Sequence, residues 1–335
     1  MKNTQRRVHT RLVGLAAAAL LALPLAACGA AAANSGDGEE APLKIGVFIP
    51  GNNNPYLQAA EKGAKDAGAE LGVDVTVVTA DWNTQKQNTA FQLALQRDTY
   101  DGWVVATITP TDQCSNIKKA EEAGTPVIVT VAAICGDKGY SPGTTGFVSE
   151  QSESTYSTWW DAIFAMTPPG PVAFVGGPKL DFPTEAAIAA GRSGLEAHPE
   201  FSLVASENTD YSTDAAYKAS QAFLQTNRDL TAIASNFSGM TRGVVQAVQQ
   251  AGRTGDVLVF DSNSDSWTKE QIQSGNITAA LPGMPYTDFK VAVTLMVDKL
   301  HGKDIPQTTN PLDTLTFPGA PIITKDNVDQ WTPEY

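Results

Sequence analysis

Few side chains in this sequence could do covalent or metal chemistry. It holds three Cys and three His, and His9 falls in a basic amino-terminal stretch, so a His/Cys metal cluster lacks ligands. HExxH, paired CxxC, a Walker A loop and GxGxxG are all missing from the sequence. An acid–base enzyme would have to rest on two carboxylates such as Asp81 and Asp261 facing each other across a cleft, and nothing local raises either pKa. No cofactor or metal is expected. What remains is recognition chemistry. Trp82, beside Asp81 after an apolar run, has the shape to stack on a ring or to pack at a strand end. Asn236 and Asp261 each follow an apolar run, where they can hydrogen-bond a ligand or cap a loop. Cys114 and Cys135 follow two further apolar runs whose ends can be neighbours in a parallel sheet. An oxidising compartment would join them, stabilising the fold by about 3 kcal/mol on chain-entropy grounds; two buried free thiols are the alternative.

The third cysteine stands elsewhere. Residues 1–11 are polar and basic, Leu12 to Leu25 form an apolar run, and small residues lead to Cys28. That is the layout of a signal peptide, with an apolar run shorter than the roughly 20 residues a membrane-spanning helix needs. Leu25-Ala26-Ala27-Cys28 resembles a bacterial lipobox, which implies cleavage before Cys28, lipid on its sulfur and a membrane anchor. An ordinary secretory leader is the other reading. The polar, acidic stretch from Gly29 to Pro42 reads as a tether.

The net charge is −13, and Lys2, Arg6, Arg7 and Arg11 lie in the leader, so the remainder is more acidic still. Such a surface argues against nucleic acid as a partner, because phosphate binding needs clustered cations.

From Leu43 the chain alternates short apolar runs with helical patterns. Leu43 to Ile49 predicts a strand. Asn54 can cap the next helix, Pro55 suits its first turn, apolar residues recur from Leu57 to Leu71 at spacings of three and four, and Gly72 ends it. Strands follow over 73–79, 103–107 and 127–131, with helices over 85–97 and 112–123. A second series runs from a helix at 152–166 through strands at 172–175, 202–206, 232–234, 257–260 and 277–281. Its helices span 185–197, 213–226, 240–251 and 266–272. A helix over 286–300 and short strands at Leu315–Phe317 and Ile322–Ile323 complete the pattern. Nearly continuous apolar strands separated by crossover helices indicate parallel sheets covered on both faces, and so many predict two doubly wound α/β lobes.

The stretch Lys44 to Val78, with its strand, Asn-Asn-Pro-aromatic turn and Gly-terminated helix, resembles the opening of type I periplasmic binding proteins of the ribose-binding group. Thr109-Pro110-Thr111-Asp112, Thr125-Pro126-Val127-Ile128, Ala234-Ser235-Asn236, Gln249-Gln250-Ala251-Gly252 and Val257 to Asp261 continue it in order. The resemblance implies two lobes joined by a three-strand hinge, crossing near 149–150, 283–284 and 312–313. The first lobe would comprise 43–149 plus 284–312 and the second 150–283 plus 313–335, after the leader (1–27) and tether (28–42). It also implies a monomer that captures a small-molecule ligand, a sugar or polyol, and hands it to an ABC transporter permease outside the cytoplasm. Presentation of the ligand to a membrane sensor kinase is an alternative output, and an exported enzyme a more remote one. Asn54 and Tyr56 match cleft-lining positions of the family, and Asn236 and Asp261 match positions that bind ligand hydroxyls from the second lobe. Phe182, Phe237 and Trp267 are weaker candidates there.

The chain also departs from the family. Thr130-Val131-Ala132-Ala133 stands where ribose binders carry an Asp-Arg pair, Ala186 to Ala190 where they carry an Arg, and Gly283 near a ligand-binding Gln. Losing those donors implies a less basic site than a pentose binder's.

Overall fold

The computed structural model describes residues 41–335; the leader, Cys28 and nearly all of the tether lie outside the described residues. The first helix shows how locally the elements are specified. The Asn54 side chain accepts the Leu57 N–H at 2.9 Å, Pro55 opens α1 (Pro55–Leu71), and Gly72 closes it in the left-handed region at φ 68°. Leu57, Ala60, Ala64 and Ala67 form its buried stripe.

Strands β1 (Lys44–Ile49), β2 (Asp74–Thr79), β3 (Gly102–Val105), β4 (Val127–Thr130) and β5 (Gly146–Val148) alternate with α1, α2 (Thr84–Arg97) and α3 (Pro110–Glu122). They form a parallel sheet in the order β2-β1-β3-β4-β5, extended by a late strand, β11 (Thr308–Thr309). Helix α4 (Glu153–Met166) then leads into β6 (Pro171–Gly176), α5 (Phe182–Ala197), β7 (Ser202–Asn208), α6 (Thr213–Thr226) and β8 (Ala232–Ser235). Helix α7 (Ser238–Gln250), β9 (Leu258–Ser264), α8 (Ser266–Ser274) and β10 (Ala279–Pro282) follow. The second sheet runs β7-β6-β8-β9-β10 in parallel, and β12 (Ile323–Thr324) is added antiparallel at its edge. Helix α9 (Pro285–Leu300) returns to the first sheet and packs along α1. The chain is therefore two doubly wound α/β lobes, and it passes between them after β5, after β10 and after β11.

Each sheet buries both faces. Ile45, Val47 and Ile49 point toward α1 and α9, while Phe48 and Trp103 pack on the other side with Phe91 and Ile117. In the second lobe Val175, Ile233 and Val259 meet α6 and α7, and Phe174 and Phe260 meet Tyr156, Trp159 and Trp160 of α4. One helix pair in each lobe meets through a glycine. A Cβ on Gly63 of α1 would lie 2.1 Å from the Tyr286 carbonyl oxygen of α9, and one on Gly243 of α7 would lie 2.2 Å from that of Thr213 on α6.

One expectation is corrected, and two short strands were not expected. Leu315–Phe317 is not a strand; Leu315 and Phe317 instead lie partly buried against the second lobe's two cores. The strands β5 and β11, three and two residues long, escaped the sequence pattern because neither is long enough to show a period. No described helix is long and apolar enough to cross a membrane.

Candidate ligand site

In doubly wound sheets the loops beyond the carboxyl ends of the strands hold ligands, and here those of both lobes converge on the crossings. Tyr56, in the first turn of α1, donates its phenol to Glu150 Oε1 at 3.2 Å and accepts Gln151 Nε2 at 2.9 Å. Glu150 and Gln151 form the first crossing. Glu150 Oε1 also lies 3.4 Å from the Met284 N–H of the second crossing, so one carboxylate ties Tyr56 to two hinge segments. Burial, then the charge of Glu150, pushes the Tyr56 phenol well above its ordinary pKa. Asp288, in the first turn of α9, is fully buried with no protein donor on either oxygen, and Glu150 Oε2 likewise lacks one. Burial and the adjacent Glu150 charge drive Asp288 well up, toward its neutral form. A proton on Asp288 shared with Glu150 satisfies both groups.

In the second lobe Asn236 follows β8, donating Nδ2 to Thr184 Oγ1 at 3.2 Å, and its buried Oδ1 has no protein partner. Its carbonyl accepts Nδ2 of Asn263 at 3.1 Å. Asn263, held at φ 52°, also leaves a buried Oδ1 unpartnered. Asp261 behaves differently. It is completely buried, with one oxygen accepting Thr241 Oγ1 and the other accepting Ser264 Oγ at 2.8 Å and Thr268 Oγ1 at 2.6 Å. Burial raises its pKa to about 7 against the opposing pull of those hydroxyls. Its carboxylate is thus engaged by its own lobe, and the unpartnered acceptors belong to its neighbours.

The other sequence candidates are scattered. Asn54 caps α1 with its Oδ1, as above. Trp82 is half exposed on the loop after β2, its indole N–H donating to Asn53 Oδ1 at 2.9 Å. Asp81 is exposed in an ion pair with Lys86, whereas Asp261 is sealed within its own lobe. Cys114 and Cys135 are joined in a disulfide with Cα atoms 5.0 Å apart, linking α3 to the loop after β4. Phe182, at the start of α5, reaches across to the first lobe, its ring 6.3 Å from that of Phe147 on β5. Phe237 packs edge-on to Tyr211 at 5.5 Å. Trp267 carries the Arg242 guanidinium 4.5 Å above its ring while that arginine pairs with Asp265 at 2.6 Å.

Among the participants that escaped the sequence reading are Glu150, Asn263 and Tyr335. Glu150 had one available signal, a carboxylate inside a crossing of otherwise neutral residues. Tyr335 had none, because it reaches the cleft only through the fold; its ring stands edge-on to Tyr56 at 5.6 Å and its phenol donates to the Asn263 carbonyl at 2.5 Å. A separate hollow of about 560 Å³, lined by Lys44, Lys65, Asp74 and Tyr100 among others, sits at the opposite, amino end of β1 and β2.

The two lobes, the triple crossing and the convergent polar loops describe a bilobal binding protein. The model of the periplasmic binding protein domain family matches residues 45–304, and the chain belongs to that family. It is 25% identical to the ribose import binding protein of Bacillus subtilis over 278 residues, 82% of this chain and 87% of that protein. It is 23% identical to the D-apiose import binding protein of Actinobacillus succinogenes over 282 residues, 84% and 87% of the two chains. Among solved structures it superposes with a TM-score of 0.76 on an ABC transporter solute-binding protein from Bacillus halodurans with bound myo-inositol. That likeness covers 89% of this chain and all of the other at 16% identity, a likeness of fold.

Proposed function

We propose that this protein is a lipid-anchored, extracytoplasmic solute-binding protein that closes its two lobes on a small neutral sugar or polyol and delivers it to an ABC importer. One observation carries the ligand class. Two buried side-chain acceptors near the crossings, Asn236 Oδ1 and Asn263 Oδ1, lack a protein donor, and hydroxyls such as Ser262 Oγ and Thr309 Oγ1 lack partners as well, with the aromatic ring of Tyr56 at the first crossing. Buried acceptors without donors are costly, and a ligand rich in hydroxyl groups supplies donors while its C–H face lies on an aromatic ring. The Arg242 guanidinium is already paired with Asp265 and stacked on Trp267, so it is not free to serve a negatively charged ligand. The sugar-import relatives support the same class, and the lipobox-like segment ending at Cys28 supports the anchor.

The test is a thermal-shift screen of protein beginning after Cys28 against sugars, polyols, amino acids and amines. At 100 times its dissociation constant a ligand stabilises by about 2.7 kcal/mol, a shift of several degrees. Hits confined to sugars or polyols, weakened by Asn54→Ala and Asn236→Ala, are expected. Hits confined to amines or amino acids would reject the ligand class. The anchor is checked separately, by whether Cys28→Ser releases the protein from the membrane fraction.

A further inference from the structure

The segment Trp331–Tyr335 touches both lobes within five residues. Trp331 is buried in the second lobe's core, and the carbonyl of Tyr335 accepts the Ser266 N–H at 2.9 Å, on the same lobe. Between them Glu334 turns to the first lobe. Helix α9 begins at Pro285 with no side-chain cap of its own, and Glu334 takes that place, accepting the Tyr286 N–H at 2.7 Å, the Thr287 N–H at 3.1 Å and the Thr287 hydroxyl. A helix start has orphan N–H groups that a carboxylate satisfies well, and here the carboxylate comes from a segment fixed to the other lobe.

Tyr335 lies where this segment crosses the hinge. A Cβ on Gly283, at the second crossing, would meet its ring and phenol at 2.9 and 2.8 Å, so the glycine leaves room for the tyrosine. The ring then stands between Tyr56 of the first lobe and Asn263 of the second, oriented by its phenol bond to the Asn263 carbonyl. We propose that Trp331–Tyr335 is a strap across the hinge and that Tyr335, which it positions, is a specificity-determining wall of the ligand site at the bare Gly283. The ligand part rests on the cleft reading above; the strap part does not.

The test uses the same protein with Tyr335→Ala, Tyr335→Phe and Glu334→Ala, each first shown by circular dichroism and melting to be folded. Calorimetric titration with every screen hit is expected to show at least tenfold weaker binding of the best ligand to Tyr335→Ala and a changed order of preference. Tyr335→Phe, which keeps the ring, should keep the order. Wild-type affinities and order in Tyr335→Ala would overturn the wall, and tighter binding across the panel would overturn it too, making Tyr335 a plug. A panel that the wild type ignores would reject the cleft reading and the wall with it. The strap is judged without ligand: amide exchange at Tyr286 and Thr287 should quicken at least tenfold in Glu334→Ala, and an unchanged rate would overturn it.

Discussion

The two lobes repeat one architecture but secure the carboxyl edges of their sheets by different chemistry. In the first lobe two buried glutamines pin the end of β3. Gln87 bonds the Ala106 carbonyl and the Ile108 N–H, and Gln113 bonds Gln87 and the Thr109 N–H. The Cys114–Cys135 disulfide then fixes the neighbouring loop. In the second lobe the corresponding edge is organised around a buried acid, Asp261, and the hydroxyls of Thr241, Ser264 and Thr268. Amides and a disulfide carry no charge, so the first edge is indifferent to pH and sensitive to reductant. A carboxyl titrating near 7 makes the second the reverse.

The largest expected effect is on the Asp261 side. Its folded pKa of about 7 lies above the ordinary carboxylate value of 3.8. The folded chain therefore retains a proton that the unfolded chain has lost, and stability from this group falls as pH rises from about 4 to about 7, then levels. The full span is on the order of 4 kcal/mol. Melting temperatures of wild type and Asp261→Asn across that range should show a clearly shallower decline in the variant, and parallel curves would remove the acid as the source. Next comes the disulfide. Cys114→Ser with Cys135→Ser, or reductant on the wild type, should cost about 3 kcal/mol, by the same amount at pH 5 and pH 8; a pH-dependent loss would blur the contrast between the lobes.

The helix pairs sharpen the comparison from the opposite direction, since they are alike. Gly63→Ala and Gly243→Ala each force a carbonyl to move, at about 1–3 kcal/mol apiece. Urea melts should give similar losses for the two, and a large inequality would show that one lobe yields where the other cannot. The smallest effect is at the rim. Trp82→Ala should leave the melting temperature within what about 0.5 kcal/mol allows, while weakening a sugar hit severalfold in calorimetry; unchanged affinity would take Trp82 out of the site.

Much of this was legible in the residues. Asn54, Pro55 and Gly72 bound α1 through local rules, and the apolar runs around Val47, Val104, Val129, Phe174 and Ile233 mark the buried strands because both faces of each are covered. What the sequence hid depends on partners far away in it. Leu315 and Phe317 are apolar enough to suggest a strand, yet their burial comes from packing. Asp261 was placed at a strand end, but its engagement by three hydroxyls from two helices and the end of its own strand has no local signature. Glu334 capping a helix 47 residues earlier and Tyr335 reaching Asn263 are of the same kind.

The return of α9 and β11 to the first sheet also bears on the order in which the molecule can be built. Every strand of the second sheet from β6 to β10 lies in one continuous stretch, whereas the first sheet and its α1–α9 helix pair need residues on both sides of that stretch. Joining α1 to α9 while the intervening chain is loose closes a very long loop, with its entropic cost, and contacts of such sequence separation slow folding. Once the inserted lobe is compact, its two ends lie side by side and that loop is already short. The second lobe should therefore acquire protection first in pulsed hydrogen exchange during refolding, with α1 and α9 becoming protected together and last.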